Sequence, residues 1–220
     1  MQREIKITSD GSTTIYLPDL NESYHSKHGA LQEANHVFIK NGLDLFTQDR
    51  IAILEIGFGT GLNALVTFVE AEKKSKHIDY TGVEAFPVLQ EEAFRMNYVN
   101  QINSPNLDSI FKKIHKCDWE EKNQLTQNFS LIKLEKKFED INDFEKFDLI
   151  YFDAFGYNAQ PNLWSEFIFK KMFNALKKNG VLVTYACRTS IKNAMLSSGF
   201  SVEKLPGAPG KREMLRAQKK

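Results

Sequence analysis

Residues 51–61 read I-A-I-L-E-I-G-F-G-T-G, and no other stretch says more about the architecture. The apolar and β-branched residues before Gly57 predict a buried parallel strand, interrupted by Glu55 near its carboxyl end. Three glycines at alternate positions then predict a tight turn, and an apolar helical period follows over Leu62–Lys73. A strand, a glycine turn and a helix in this order are typical of a nucleotide-type site, where free N–H groups at the helix start face the ligand.

The spacing of the glycines narrows the choice of ligand. A dinucleotide fingerprint requires glycine at position 62, which is leucine here, and no lysine stands where a phosphate loop needs one. The pattern E-x-G-x-G-x-G instead resembles motif I of class I S-adenosyl-L-methionine methyltransferases, whereas a glycine turn that binds nothing is the alternative. The resemblance implies cofactor contacts by the following residues: Glu55, Gly57, Gly59, Thr60, Gly61 and Asn63.

Acidic residues end or follow the other predicted parallel strands. The apolar run 78–83 stops at Glu84, where a carboxylate is expected to accept the ribose hydroxyls. Asp140 follows the next strand and is expected to reach the adenine edge, and Asp153 ends the run Phe147–Phe152. Each acid alone is more often a loop residue or a helix cap. Because the carboxyl ends of parallel strands share one edge of a sheet, we expect all of them along one cleft.

The periodicity of the whole chain predicts an α/β fold of the Rossmann-like methyltransferase class, with a seven-stranded sheet that ends in an antiparallel hairpin. A hairpin within residues 1–20 and a helix over 30–41 predict a small N-terminal extension, 1–48, packed on a methyltransferase domain, 49–220. Further helices are expected over 88–98, 166–177 and 189–198, a strand over 131–134, another over 181–186, and the closing hairpin over 201–205 and 213–217.

Composition excludes several classes. The 220 residues are 42% hydrophobic and 26% charged with a net charge of +1, which is ordinary for a globular enzyme. No apolar run approaches membrane-spanning length, and the first residues lack the apolar core of a secretory signal, so we expect a cytoplasmic protein. Cys117 and Cys187 suggest no disulfide framework, and the histidines have no metal-ligand spacing, so no metal is expected.

Several further segments together resemble one family. The chain is similar to the methyltransferase domain of MnmC, whose order of motifs it follows over nearly its whole length. The FAD-dependent oxidase domain of the bifunctional members has no counterpart, so we expect a stand-alone methyltransferase with a separate oxidase. The matching stretches are Y-H-S-K-H-G-A-L-Q-E-A-N-H-V-F-I at 24–39, G-F-G-T-G-L-N at 57–63, E-A-F-P at 84–87, E-D-I at 139–141, F-D-A-F at 152–155, P-N-L-W at 161–164 and G-K-R-E-M-L at 210–215.

The resemblance implies methyl transfer to the exocyclic amine of 5-aminomethyl-(2-thio)uridine at the wobble position of tRNA. Asp153 is the expected catalytic residue, because an amine must be oriented and must lose a proton. The chain reads D-A-F-G-Y where the family commonly has D-G-F-A-P, so the substrate loop differs in shape. Phe155 and Tyr157 are expected to stack on the uridine, whereas Trp164 is expected to pack in the core.

Basic residues near the carboxyl end suggest where RNA docks. Arg188, Lys211 and Arg212 are expected to contact phosphates of the tRNA, although a charged end is often only solvated. A small-molecule or protein N-methyltransferase of the same fold is the alternative within the class. A non-catalytic RNA-binding protein of this fold is the alternative from another class.

Overall fold

The computed structural model describes residues 2–220 and places the run 51–56 at the middle of a mixed eight-stranded sheet. A separate three-stranded sheet is built from the N-terminal residues. The strands are β1 (Glu4–Ile7), β2 (Thr13–Leu17), β3 (Glu22–Ser23), β4 (Arg50–Ile56), β5 (His77–Glu84), β6 (Lys122–Thr126), β7 (Phe129–Glu135), β8 (Phe147–Phe152), β9 (Leu176–Thr184), β10 (Ser201–Pro206) and β11 (Glu213–Gln218). The α-helices are α1 (Ala30–Ala34), α2 (Leu62–Lys73), α3 (Gln90–Ala93), α4 (Tyr98–Gln101), α5 (Leu107–Lys116), α6 (Glu166–Ala175) and α7 (Thr189–Ser197).

The order of strands in the large sheet is β10-β11-β9-β8-β4-β5-β7-β6. Strands β7, β5, β4, β8 and β9 are parallel, and β11 joins β9 antiparallel to form the hairpin with β10. The predicted fold is therefore confirmed, and β6 adds an eighth strand antiparallel to β7. The break in strand order lies between β4 and β8, so the cleft for a ligand is expected above their carboxyl ends.

Alternating residues of the central strands enter two different cores. Ile53 and Tyr151 pack on the side that holds α1, α2 and α5, whereas Leu54 and Phe152 pack on the side that holds α6 and α7. The period of two in a strand sends neighbouring side chains to opposite faces, which is why the central strands are apolar throughout. Among residues 2–220, no helix combines the length and the apolar character needed to cross a membrane.

The N-terminal hairpin and helix are confirmed, with β1 paired to β2 and α1 continued by a π-helical turn over Asn35–Lys40. The expected helix over 88–98 is wrong, since two short helices, α3 and α4, replace it. Asn97 explains the break. Its Oδ1 accepts from the Thr13 backbone N at 2.9 Å, and its Nδ2 donates to the Gly11 carbonyl at 2.8 Å. This asparagine holds the N-terminal hairpin to the core, which a continuous helix would prevent.

The predicted end of the next long helix is also displaced. Helix α6 stops at Ala175, before Asn179 and Gly180 are reached, and β9 begins at Leu176. Leu176 pairs with Phe147 on β8, and the register then shifts before Leu149 pairs with Val181. Pairing with the neighbouring strand thus ends the helix earlier than its local stop signals.

Asp79 on β5 bonds to side chains of three other strands, β4, β6 and β7. Its carboxylate accepts from Arg50 Nε at 2.7 Å, Ser130 Oγ at 2.8 Å and Lys122 Nζ at 3.0 Å. Burial alone would raise the pKa of this carboxyl, but the three donors hold it well below its usual range. A carboxyl with a lowered pKa stabilises the fold above its unfolded value, near 3.9, and loses that contribution as the pH falls.

We predict that Asp79→Asn lowers the free energy of unfolding by about 1–2 kcal/mol at pH 7, because charge-assisted hydrogen bonds are weakened. The difference should shrink at pH 3. Urea unfolding at the two pH values measures both. Asp108→Asn is the control, since Asp108 is exposed on α5 with one lysine partner. An equal loss at pH 7 and pH 3 would show that the charge of Asp79 contributes nothing.

Candidate cofactor and substrate site

A cavity of about 200 Å³ opens above the carboxyl ends of β4, β5 and β8. Its position agrees with the cleft expected at the break in strand order. Residues of the N-terminal extension close one side, and the loop after β8 closes another. The predicted site residues that line the cavity are Gly57, Gly59, Thr60, Asn63, Glu84, Asp153 and Phe155.

The glycine turn is held tightly between neighbouring segments. Gly57 has a φ of +89°, and a Cβ at this position would lie 2.6 Å from the carbonyl oxygen of Asp153. Only glycine fits there, so the turn and the end of β8 meet backbone to backbone. Gly61, with a φ of +70°, lies against His115 on α5, whose Nε2 is 3.1 Å from the carbonyl oxygen of Thr60. The turn therefore presents its backbone to the cavity in one fixed shape.

Glu84 ends β5 and faces the cavity, as the sequence predicts. One carboxylate oxygen accepts from the Gly59 backbone N at 3.0 Å, and the other accepts from the Phe86 backbone N at 3.0 Å. A carboxylate oxygen has a second lone pair, so both oxygens keep acceptor capacity for hydroxyl groups. This side chain thus braces the glycine turn while it remains suited to a ribose.

Glu55 has a different place from the one expected. It is fully buried beneath the turn and does not line the cavity. Its carboxylate accepts from Asn63 Nδ2 and from the Tyr80 hydroxyl, both at 2.9 Å, and burial raises its pKa well above the usual value. Its geometry supports an indirect role, in which Glu55 holds Asn63, rather than the direct cofactor contact of the sequence hypothesis.

Asn63 connects the two carboxyl groups of this region. Its Nδ2 donates to Glu55 and also to Asp153 Oδ2, at 2.8 Å, which fixes the orientation of the amide. Its Oδ1 is buried, and no group within the described residues donates to it. A buried acceptor without a donor is costly, so the site suits a ligand that brings an N–H group. The α-ammonium of an amino-acid tail supplies one.

Asp153 stands half-buried in the cavity wall at the end of β8. Burial raises the pKa of its carboxyl to about 7, and the negative charge of Glu33 acts in the same direction. The hydrogen bond from Asn63 and the charge of Lys211 oppose that shift. A carboxyl with such a pKa exchanges a proton readily near neutral pH, which a general base for an amine requires.

The aromatic residues of the substrate loop divide into three environments. Phe155 lines the cavity and contacts the Tyr24 ring edge-on, with centroids 5.0 Å apart. Trp164 is buried in the core, as expected, and its Nε1 donates to the Phe155 carbonyl at 2.8 Å. Tyr157 lies outside the cavity wall, and the Arg188 guanidinium covers its ring at 4.6 Å. Of these three side chains, Phe155 is the one that lines the cavity.

Two predicted residues are not where their proposed roles need them. Asp140 is exposed and lies outside the cavity, which its neighbour Glu139 lines, so its adenine contact stays a prediction without support from the geometry. Lys211 turns inward, and its ammonium pairs with the buried carboxylate of Glu33. Lys211 is therefore not oriented toward solvent, as contact with a tRNA phosphate would require. Arg212 is exposed, as its predicted role requires.

Sequence reasoning missed the contribution of the N-terminal extension. Tyr24 and His25 line the cavity, although both precede the glycine turn by a long stretch of chain. Burial raises the pKa of Tyr24 to about 12 and lowers that of His25 to about 4, so both are neutral at pH 7. The segment 24–39 resembles the family, but nothing in its residue pattern indicates contact with the cavity. Within residues 2–220, no cluster of three or more His, Cys, Asp or Glu side chains has metal-binding geometry.

Comparison with known proteins establishes the class. A family model described as S-adenosyl-L-methionine-dependent methyltransferase matches residues 97–220, which is more than half of the chain. The chain belongs to this family, and its cofactor is S-adenosyl-L-methionine. The hydrogen-bond acceptors around the cavity agree with that cofactor, because Glu84 suits a ribose and Asn63 Oδ1 suits an ammonium.

Particular relatives are named for tRNA modification. The tRNA 5-methylaminomethyl-2-thiouridine biosynthesis bifunctional protein MnmC of Leptospira interrogans is 29% identical over 222 residues, which are 95% of this chain and 34% of that protein. The protein of the same name from Polaromonas naphthalenivorans is 25% identical and matches 99% of this chain and 36% of its own length. The predicted resemblance to the MnmC methyltransferase domain is confirmed, and this chain spans about a third of those relatives.

Solved structures agree on the fold. The crystal structure of MnmC2 from Aquifex aeolicus superposes with a TM-score of 0.77 at 23% identity, over 98% of this chain and 70% of that one. Spermidine synthase from Thermotoga maritima superposes with a TM-score of 0.59 at 13% identity, over 100% of this chain and 72% of that one. Both similarities support the Rossmann-like architecture.

We predict that Glu84→Ala weakens binding of S-adenosyl-L-methionine by about 1–3 kcal/mol, because hydroxyl groups lose their acceptor. Isothermal titration calorimetry measures the affinity. Glu91→Ala is the matched control, since Glu91 lies nearby on α3, is exposed and does not line the cavity. An affinity of the Glu84 variant equal to that of the parent would exclude the ribose contact.

Proposed function

We propose that this chain transfers the methyl group of S-adenosyl-L-methionine to the exocyclic amine of 5-aminomethyl-(2-thio)uridine at the wobble position of tRNA. The product is 5-methylaminomethyl-(2-thio)uridine. The observation that carries the proposal is the carboxyl group of Asp153, which stands in the cavity wall beside the glycine turn. The names of the tRNA-modifying relatives support the choice of substrate.

The cofactor, when bound, supplies a methyl group on a positively charged sulfur. The protein's own residues then have to prepare the amine. In solution an alkylamine is mostly an ammonium ion, which has no free lone pair. Asp153 accepts the proton and keeps a hydrogen bond that orients the amine, so no covalent enzyme nucleophile is needed. Its pKa of about 7 leaves much of the carboxyl ionised at neutral pH and ready for this step.

The other residues that line the cavity would contact the cofactor and the uridine. Glu84 would accept hydrogen bonds from the ribose hydroxyls, and Asn63 Oδ1 would accept one from the ammonium of the amino-acid tail. Phe155 offers a ring on which an extruded uridine stacks, with Tyr24 bracing that ring from its edge. Arg188 and Arg212 are exposed and act on the phosphates.

The substrate also implies a partner. We infer that an FAD-dependent oxidase supplies the free amine, because the tRNA-modifying relatives are named as bifunctional proteins and this chain spans about a third of their length. The oxidase lies on another polypeptide or elsewhere on the same one. A tRNA substrate places the reaction in the cytoplasm.

We predict that Asp153→Ala lowers the single-turnover rate of methyl transfer to aminomethyluridine tRNA by about 100-fold or more. Binding of S-adenosyl-L-methionine should stay within a few-fold of the parent, because Glu55 still holds Asn63 and Glu84 still holds the glycine turn. Nucleoside mass spectrometry of the tRNA follows the product. Asp108→Ala, on the exposed face of α5, is the control. A variant at position 153 with the parent's rate would limit Asp153 to a packing role.

We predict that Arg188→Ala/Arg212→Ala binds tRNA more weakly and with a log K against log salt slope shallower by about one to two units. Affinity for S-adenosyl-L-methionine should not change. The control is Lys113→Ala/Lys178→Ala, which removes two exposed charges, one on α5 and one on β9. Filter binding over a range of salt concentrations measures the slopes. Equal slopes in the two double variants would place the tRNA elsewhere.

A further inference from the structure

Lys211 and Glu33 form an ion pair where the N-terminal helix α1 meets the loop of the β10–β11 hairpin. The Glu33 side chain is only 10% exposed and that of Lys211 29%. Glu33 Oε1 also accepts from the Ser26 backbone N, at 3.1 Å. Removing two charges from water usually costs more free energy than their mutual attraction returns, so a buried ion pair adds little stability by itself. The effect of the two charges on Asp153 suggests a role for the pair other than stability.

Tyr185 links the ion pair to the segment that carries Asp153. The Lys211 ammonium lies over the Tyr185 ring, 4.0 Å from its centroid. The Tyr185 hydroxyl donates to the carbonyl of Ala154, the residue after Asp153, at 2.8 Å. A cation over an aromatic face and a hydrogen bond from the same ring hold both groups in fixed geometry. The ion pair is therefore linked, through the Tyr185 ring, to the residue that follows the proposed base.

The charges around Asp153 come from several elements of the fold. Glu33 on α1 raises the pKa of Asp153, and Lys211 on the hairpin loop lowers it. Glu22 on β3 also faces Lys211, and burial raises its pKa while Lys211 lowers it. The buried Glu55 on β4 and the rings of Tyr80 and Tyr185 complete these surroundings. Lys211 thus opposes burial and the charge of Glu33, which both favour the protonated form of Asp153.

We propose that Lys211 and Glu33 are a positioning pair that sets the charge of Asp153, and with it the ability of Asp153 to take the proton of the substrate amine. The proposal rests on the proposed function for its substrate. In the proton transfer, one N–H bond of the ammonium breaks and an O–H bond forms on the carboxylate. The electron pair stays on nitrogen as the lone pair. Neither Lys211 nor Glu33 touches the amine.

The test follows the carboxyl of Asp153 directly. We expect Lys211→Met to raise its titration midpoint and Glu33→Gln to lower it, each by roughly half a pH unit or more, as charges in a partly buried site do. The double variant should return to within a few tenths of the parent, because the two removed charges oppose each other. The measurement is a ¹³C NMR titration of protein labelled at the aspartate carboxyl carbon, with the signal assigned by Asp153→Asn. No tRNA is needed.

Matched variants separate this role from a structural one. Lys204 and Glu213 form an exposed pair at 2.8 Å on the same hairpin, so Lys204→Met and Glu213→Gln should leave the midpoint unchanged. Lys211→Arg keeps the charge and should also titrate like the parent. If Lys211→Met does not fold, the downward shift in Glu33→Gln is still required. Unchanged midpoints, or shifts of equal sign in the two single variants, would overturn the proposal.

The pH dependence of the reaction gives a second and separable measurement. The acidic limb of the single-turnover rate with aminomethyluridine tRNA should move in the same direction as the NMR midpoint in each variant. If the midpoints shift as expected while the tRNA is not methylated, the positioning pair stands and the proposed substrate fails. If the tRNA is methylated but the limb does not follow the midpoint, the pair does not act through Asp153.

Discussion

The close approach of Gly57 to the carbonyl of Asp153 is the constraint on which the site depends. Strands β4 and β8 are adjacent and parallel, so their carboxyl ends arrive together, and the absence of a side chain at Gly57 lets the two backbones touch. The Asp153 backbone N also donates to the Ile56 carbonyl at 2.9 Å. Cofactor turn and proposed base are thereby parts of one rigid unit. A side chain at position 57 would separate them and disturb both functions at once.

A chain of hydrogen bonds extends this unit into the core. Tyr80 donates to Glu55, and Asn63 donates to both Glu55 and Asp153. Because Asn63 Nδ2 donates to both acids, its Oδ1 is turned away from both of them. Side chains that are already held by hydrogen bonds lose little further conformational freedom when a ligand binds, which favours affinity. The buried Glu55 holds Asn63, which lines the cavity, and does not line the cavity itself.

The sequence predicts the parts of the site that local chemistry determines. Glycines at alternate positions after an apolar strand admit few conformations, so the turn, the start of α2 and the acid at the end of β5 follow from the letters. Tyr24 and Lys211 show the limit. Whether a tyrosine lines a cavity or a lysine turns inward depends on partners far away in the chain, here Phe155 and Glu33. Asn97 marks a similar limit for the fold, because its bonds to the N-terminal hairpin break a helix that the apolar period alone would continue.

The N-terminal extension, which closes one side of the cavity, also contacts the hairpin of β10 and β11. His36 Nε2 lies 2.8 Å from the Pro206 carbonyl, so the segment before β4 meets the hairpin after α7. During synthesis, the early residues of this contact leave the ribosome long before the late ones exist. The contacts of the N-terminal segment with the hairpin therefore form only after β10 and β11 have been made, later than its contacts with Asn97. A chain with such distant contacts is expected to fold slowly and as a whole, so a nascent polypeptide without β10 and β11 holds its N-terminal segment less firmly.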